Sequence, residues 1–287
     1  MSRSSPFSTL VLALPLLLTF TYFAWWPLFR AVILSAQHTN LIDGAEWVGF
    51  ENFHRVLDDP LLWTAIKNTV WFASLALIFG FPVPIVLALL MSESRRWGGL
   101  FSTLAYLPVV VPPVAAILLW RVFYEASSSG TFNTVLGWVG LGPYPWFQST
   151  SWAMGSIVLL ATWSAAGATA ALTGVRADLY EAAEVDGASI LRKLWHVTLP
   201  QMRGVLFVTL ILQLIGTFQV FTEPFLLTNG GPANSTITIL LLIYRYAFGA
   251  GGGGDYRAAA ALSLMLAAFL AIFTAAYFRA TRSWSTS

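Results

Sequence analysis

Asp178-Leu-Tyr-Glu-Ala-Ala-Glu-Val-Asp-Gly-Ala-Ser-Ile-Leu-Arg-Lys-Leu-Trp-His-Val-Thr-Leu-Pro200 is a charged stretch set between two long apolar ones, and its reading decides the rest. Most of its residues favour helix. Asp178 suits an N-cap, and Glu181 three residues on completes a capping-box-like pair. Leu179, Ala182, Ala183 and Val185 give a first short helix a small apolar face, and Gly187 permits a sharp turn. Ile190, Leu191, Leu194 and Trp195 place larger apolar groups at helical spacing on a second short helix. Thr198-Leu-Pro200 is expected to end that helix where the next apolar run begins. Isolated helices below about 12–15 residues are marginal in water. Such a pair needs a surface: a groove on another protein, with Glu181 reaching a basic residue there, or the face of a membrane. The residues alone leave both open.

Outward from this segment the chain is apolar. Of its 287 residues 57% are hydrophobic and 10% charged, against about 25% charged in a soluble domain. Thirteen tryptophans and nine tyrosines suit interfacial aromatic belts. A helix crossing about 30 Å of hydrocarbon needs about 20 mostly apolar residues. Six stretches meet that length: Phe7–Leu34, Leu62–Met91, Leu100–Phe123, Ser151–Val175, Gly204–Leu227 and Tyr256–Phe278. The expected fold is an all-α integral membrane protein with six transmembrane helices in one domain, 1–287. The first stretch exceeds a signal-peptide core of 7–15 residues and no A-x-A-like site follows it, so it reads as a span. Ile237–Phe248 contains Arg245 and is too short to cross, so it reads as a surface or re-entrant helix.

With six spans both termini share a side. Arg3, Arg95, Arg96, Arg176, Arg192, Lys193, Arg203, Arg279 and Arg282 fall there. Arg30, Arg55, Lys67, Arg121, Arg245 and Arg257 fall opposite or near it. The positive-inside rule then places both termini and the loop at about 176–203 in the cytoplasm. The outer loops, at about 36–60, 124–150 and 229–255, are too short for a separate catalytic domain.

Several chemistries find no support. A G-x-x-x-x-G-K-[ST] phosphate loop does not occur, and Lys67 and Lys193 are the only lysines. His38, His54 and His196 are scattered, and there is no cysteine, so no metal site is expected. A net charge of +2 gives no reason to expect nucleic acid. Glu223 is the one acid within a span. A lone acid close to the outer interface reads as a helix-end or gate contact rather than a proton relay. Pro108, Pro112 and Pro113 interrupt the third stretch, which points to a kink, a hinge or a cavity.

Glu181-Ala182-Ala183, Gly187, Val197, Leu199 and Pro200 resemble the EAA loop of ABC-importer permeases: E-A-A, three residues, G, nine residues, an aliphatic, any residue, L-P. Trp47-Val-Gly-Phe-Glu-Asn-Phe resembles a first-outer-loop segment of the maltose-type branch. Phe221–Pro232 resembles the end of that branch's fifth core helix, and Tyr256–Ser263 the start of its last. The likeness covers nearly the whole chain and is to the simpler six-span members.

The resemblance implies the type I importer fold and import of a sugar or sugar-like solute. It implies a second permease subunit (heterodimer or homodimer), two cytoplasmic ATPases that bind ATP and Mg, and an extracytoplasmic binding protein. The chain itself would be no enzyme and hold no cofactor. Glu181, Ala182, Ala183, Gly187, Ile190, Leu194, Trp195, Leu199 and Pro200 would couple to the ATPase. Counting back from Thr228, Gln213, Thr217 and Val220 match positions that face sugar, with Gln219 adjacent. The corresponding positions in the third span are Val109 and Pro113, and in the fourth Ser164 is the nearest polar candidate. Interhelical hydrogen bonding is the alternative role for Gln213 and Thr217. An ion-coupled secondary transporter, a membrane scaffold, or a permease of the same class for glycerol phosphate are the competing functions.

Overall fold

The computed structural model describes residues 6–39, 44–93, 98–172, 182–183, 185–249 and 254–281. Its elements in chain order are α1 (Pro6–Phe20), α2 (Trp26–Ser35), β1 (Gln37–His38), β2 (Glu46–Trp47), α3 (Glu51–Asp58), α4 (Pro60–Leu75), α5 (Pro82–Glu93), α6 (Gly98–Val110) and α7 (Pro113–Phe123). There follow α8 (Thr131–Gly137), α9 (Ala153–Leu172), α10 (Ile190–Lys193), α11 (Leu199–Phe218), α12 (Thr222–Leu227), α13 (Ile239–Phe248) and α14 (Tyr256–Thr281). Helices occupy all six predicted stretches. Among the described residues four are long and apolar enough to cross a membrane, and a fifth is the pair α6–α7 if that pair is one span. In the fourth stretch the apolar part, Ala153–Ala166, is shorter.

Among the described residues three π-helical turns join helices end to end: Thr21–Trp25, Ala76–Gly80 and Leu194–Thr198. Each is followed two residues later by a proline, Pro27, Pro82 and Pro200. A proline has no N–H and its ring collides with the carbonyl four residues back. A π-turn moves that carbonyl aside, and the residue before each proline donates instead to the carbonyl five back: Trp26 to Thr21, Phe81 to Ala76 and Leu199 to Leu194. The expected helix end at Pro200 is corrected on this ground. The helix that begins at Ile190 runs through it to Phe218. Leu194–Leu227 as a whole is long enough to cross.

Pro112 and Pro113 act differently. Pro112 sits in an extended conformation (ψ 132°) as the N-cap of α7, and α6 and α7 meet at a bend of 110°. Two consecutive prolines remove two donors and bar α-helix from the residue before each. The third stretch is a broken helix.

The chain divides into two compact units: Met1–Leu62 with Leu242–Ala271, and Trp63–Leu241 with Ile272–Ser287. In the first, a two-stranded antiparallel bridge pairs Gln37 with Trp47 and His38 with Glu46, a small departure from an all-helical reading. The buried Asn52 amide donates to the carbonyls of Ser35 (2.9 Å) and Gln37 (3.0 Å), closing the chain end left by α2. Asp59 caps α4 through Leu61 N–H (2.8 Å) and accepts the Tyr246 hydroxyl. Asp255 caps α14 through Ala258 N–H (3.1 Å) and pairs with Arg257 (3.3 Å) and Arg55 (3.4 Å). Burial pushes the Asp255 carboxyl up, but the Ala258 N–H and the two guanidiniums outweigh it and hold it below the usual carboxylate range.

In the second unit α9 packs against α5 and α6, and α12 against α7 and α9. The core gathers Phe72, Ala76, Ile117, Met154, Ile157, Leu160 and Leu227. Asn68 donates to the carbonyls of Asn234 (2.8 Å) and Ile237 (3.0 Å), and Thr69 Oγ1 accepts from Ile239 N–H (3.1 Å). These bonds bring the start of α13 inside: Ile237 and Leu241 are fully buried. The surface-helix reading of Ile237–Phe248 is thereby corrected. A short apolar helix whose leading backbone groups are partnered within the protein gains nothing from the membrane face.

Candidate functional site

The elbow preceding α11 follows from its sequence. Gly187 takes φ +69°, the left-handed conformation that ends a helix at low cost. Ala188 N–H reaches back five residues to the Ala183 carbonyl (2.9 Å), and Asp186 N–H to Ala182 (3.2 Å), in the manner of a Schellman end. Val185 is 89% and Trp195 64% exposed, while Ala183 and Leu194 are half-buried. His196 Nδ1 bonds the Arg192 carbonyl at 3.1 Å, and Thr198 donates to Lys193 O at 3.4 Å. Ile190 opens α10, Leu199 is half-buried and Pro200 exposed. Glu181 lies outside the described residues.

Eighteen residues separate Trp195 from Gln213 on this helical run, or about 27 Å at 1.5 Å per residue. At its far end α11 stops at Phe218. Gln219 N–H turns back to Gly216 O (3.1 Å) and Val220 N–H to Thr217 O (3.4 Å), and α12 restarts at Thr222. A cavity of about 320 Å³ opens beside this break. Gln213, Thr217, Gln219 and Val220 all line it, with Thr162 of α9 and Glu223 of α12.

The π-turn at Ala76–Gly80 forms another wall. Gln213 Nε2 donates to the Ala76 carbonyl (3.1 Å), which lies in that turn. A Cβ on Gly80 would meet Thr162 Oγ1 at 3.2 Å and Gln213 Nε2 at 3.4 Å, so glycine is what lets the two polar side chains approach the turn. Thr217 is buried and donates to Leu214 O (2.8 Å). Val220 belongs to the apolar core, while its carbonyl accepts from Thr238 (2.8 Å). Gln213 Oε1 meets no protein donor among the described residues.

Ser164, Val109 and Pro113 do not line this cavity. Ser164 stands on the wrong side of its helix: Ala161, Thr162 and Ala165 form the lining face of α9, the i, i+1, i+4 set of one helical side. Thr162 and Gly80 complete the wall and are not among the sequence candidates, while Glu223, read from the sequence as a helix-end or gate contact, joins them there. A mid-span threonine is visible in the sequence, but nothing there says which neighbour it faces. A larger cavity of about 510 Å³ is walled by Leu75, Phe79, Tyr124, Trp146 and Trp152. It is overwhelmingly apolar, whereas several polar side chains converge on the smaller one.

Residues 80–283 match the family of binding-protein-dependent transport system inner membrane components. That segment holds the elbow and most of the cavity wall. The chain belongs to this family. The permease is 31% identical over 235 residues to the arabinooligosaccharides transport system permease protein AraP of Halalkalibacterium halodurans, covering 79% of this chain and 74% of that one. It is 31% identical over 234 residues to the lactose transport system permease protein LacF of Rhizobium radiobacter, covering 78% of each. A solved bacterial ABC transporter, involved in the import of the acidic polysaccharide alginate, superposes with a TM-score of 0.83 at 26% identity over 96% of both chains. The permease therefore has the type I ABC importer fold expected of it, and it is a membrane transport subunit.

Proposed function

We propose that this permease is one transmembrane subunit of an ATP-driven importer that moves a sugar delivered by an extracytoplasmic binding protein. Its partners are a second permease subunit, of a different sequence, and a cytoplasmic ATPase dimer, and both its termini are cytoplasmic. The observation that carries the reading is one helical run with two functional ends. Exposed apolar groups of the elbow stand at its start, and Gln213 and Thr217 line a largely apolar cavity with a few polar groups at its finish. A helix transmits displacement over its length because each turn is locked by its own hydrogen bonds. Docking of Val185 and Trp195 into a groove on the ATPase removes apolar surface from water, and Glu181 supplies a charge for a basic residue at its rim. Closure of the ATPases then shifts the elbow, the helix, and the walls of the cavity together, which is alternating access by rigid-body motion. Sugar hydroxyls donate to Gln213 Oε1 and bond Thr162 and Gln219.

The test uses vesicles holding the complete importer. Gly187→Pro cannot take φ +69° and destroys the elbow while leaving the spans in place. Membrane insertion is expected to be normal, with uptake lost. Normal uptake by this variant, or uptake driven by an ion gradient with the ATPases left out, refutes the reading.

A further inference from the structure

The likenesses leave the charge of the solute undecided. AraP and LacF are named for uncharged sugars, whereas the solved neighbour is described with an acidic polysaccharide. All three resemble this chain to a similar degree, so overall identity does not separate the two classes.

The cavity does separate them. Fourteen described residues line it, and Glu223 is the one ionisable side chain among them; no lysine, arginine or histidine contributes. Its other polar side chains, on Thr162, Gln213, Thr217, Gln219 and Thr222, are uncharged hydrogen-bonding groups that suit sugar hydroxyls. A uronate, sulfonate or phosphate brought into such a space loses its water and meets the Glu223 carboxyl group, with no basic side chain of this chain's lining to offset it. Both effects disfavour an anion.

We infer that Glu223 makes this cavity reject anions, so that the importer carries an uncharged or cationic sugar and not an acidic one. Glu223 is here a specificity-determining residue, a role beyond the helix-end or gate contact its position in the sequence suggests. The inference rests on the cavity's being the solute path.

The chain has no cysteine, which gives a test that needs no knowledge of the sugar. Thr162→Cys and Gly216→Cys each put one thiol on the cavity wall, and a Cβ added at Gly216 meets no atom within 4 Å. In vesicles holding the complete importer, each is treated with a cationic trimethylammonium-ethyl or an anionic sulfonato-ethyl methanethiosulfonate. Modification of this chain is followed by mass, with and without ATP. Rates are divided by those of the same reagents with a free thiol in solution. The cation is expected to react about tenfold or more faster than the anion, as a nearby unit charge at protein dielectric requires. Adding Glu223→Gln should bring the ratio close to one. A ratio near one with Glu223 present, or one unmoved by Glu223→Gln, overturns the inference and leaves the path intact. If neither thiol reacts with either reagent in either state, water does not enter the cavity, and the reading of it as the path fails instead.

Discussion

The loop around Asn133 and the cavity around Gln213 both set a carboxamide against backbone carbonyls, and they use it in opposite ways. Asn133 is 3% exposed. Its Nδ2 is shared among the carbonyls of Glu125, Ala126, Ser127 and Tyr144 at 3.1–3.3 Å, and its Oδ1 accepts Tyr144 N–H at 2.9 Å. Around it the rings of Tyr124, Phe132, Tyr144, Trp146 and Trp152 pack in tilted and edge-to-face pairs. The Asn133 amide thus has both its ends engaged within the loop. Gln213 gives its amide to Ala76, and its oxygen meets no protein donor among the described residues. A buried polar group with every partner inside the chain builds structure; one with a partner missing, on a cavity wall, is available to a ligand.

That contrast makes graded predictions. Asn133→Ala strands the Tyr144 N–H and several carbonyls, and should cost about 2–3 kcal/mol of stability, seen as a lower unfolding temperature in detergent. If it proves as mild as a change at Gln213, the distinction fails. Trp195→Ala removes an exposed ring and should leave that temperature unchanged while weakening capture of the ATPase by about 2 kcal/mol, as loss of an aromatic anchor does. A binding measurement between the purified parts decides it.

Asp255→Ala removes an N-cap and should destabilise by about 1 kcal/mol. Because the folded carboxyl lies below its usual range, its contribution is present above the ordinary carboxylate pKa and disappears as pH falls through the lower folded value. Asp255→Asn should flatten that part of the stability profile. Gln213→Ala should cost only about 0.5–1 kcal/mol of stability for one interhelical bond, and show itself instead as a raised KM for uptake. An unchanged KM would remove Gln213 from the path.

Much of this is legible in the residues. The stretch around Gly187 announces a turn, because glycine alone enters the left-handed region cheaply, and φ +69° is what it adopts. Gln213, Thr217 and Gln219 lie close together on one helix and its end, so a shared cavity is a local matter. Pro200 misleads because the rule that proline ends helices assumes regular α geometry, and a π-turn supplies another solution. Ser164 lies off this cavity's wall, since the rotation of α9 about its axis is fixed by contacts with α5 and α6, which a single apolar sequence of 20 residues does not encode by pattern.

The sequence by itself determined that the chain lives in lipid, where its helices lie, and that a turn falls at Gly187. These follow from hydropathy and from backbone chemistry, which act over a few residues at a time. Only the tertiary structure decided that Ile190–Phe218 is one helical run leading to the cavity, that Thr162 and Gly80 complete the cavity wall, and that Glu223 joins it. Those depend on how helices distant in sequence are turned toward one another. In an apolar solvent that turning is set by close packing and interhelical hydrogen bonds, and an evenly apolar helix carries little record of it.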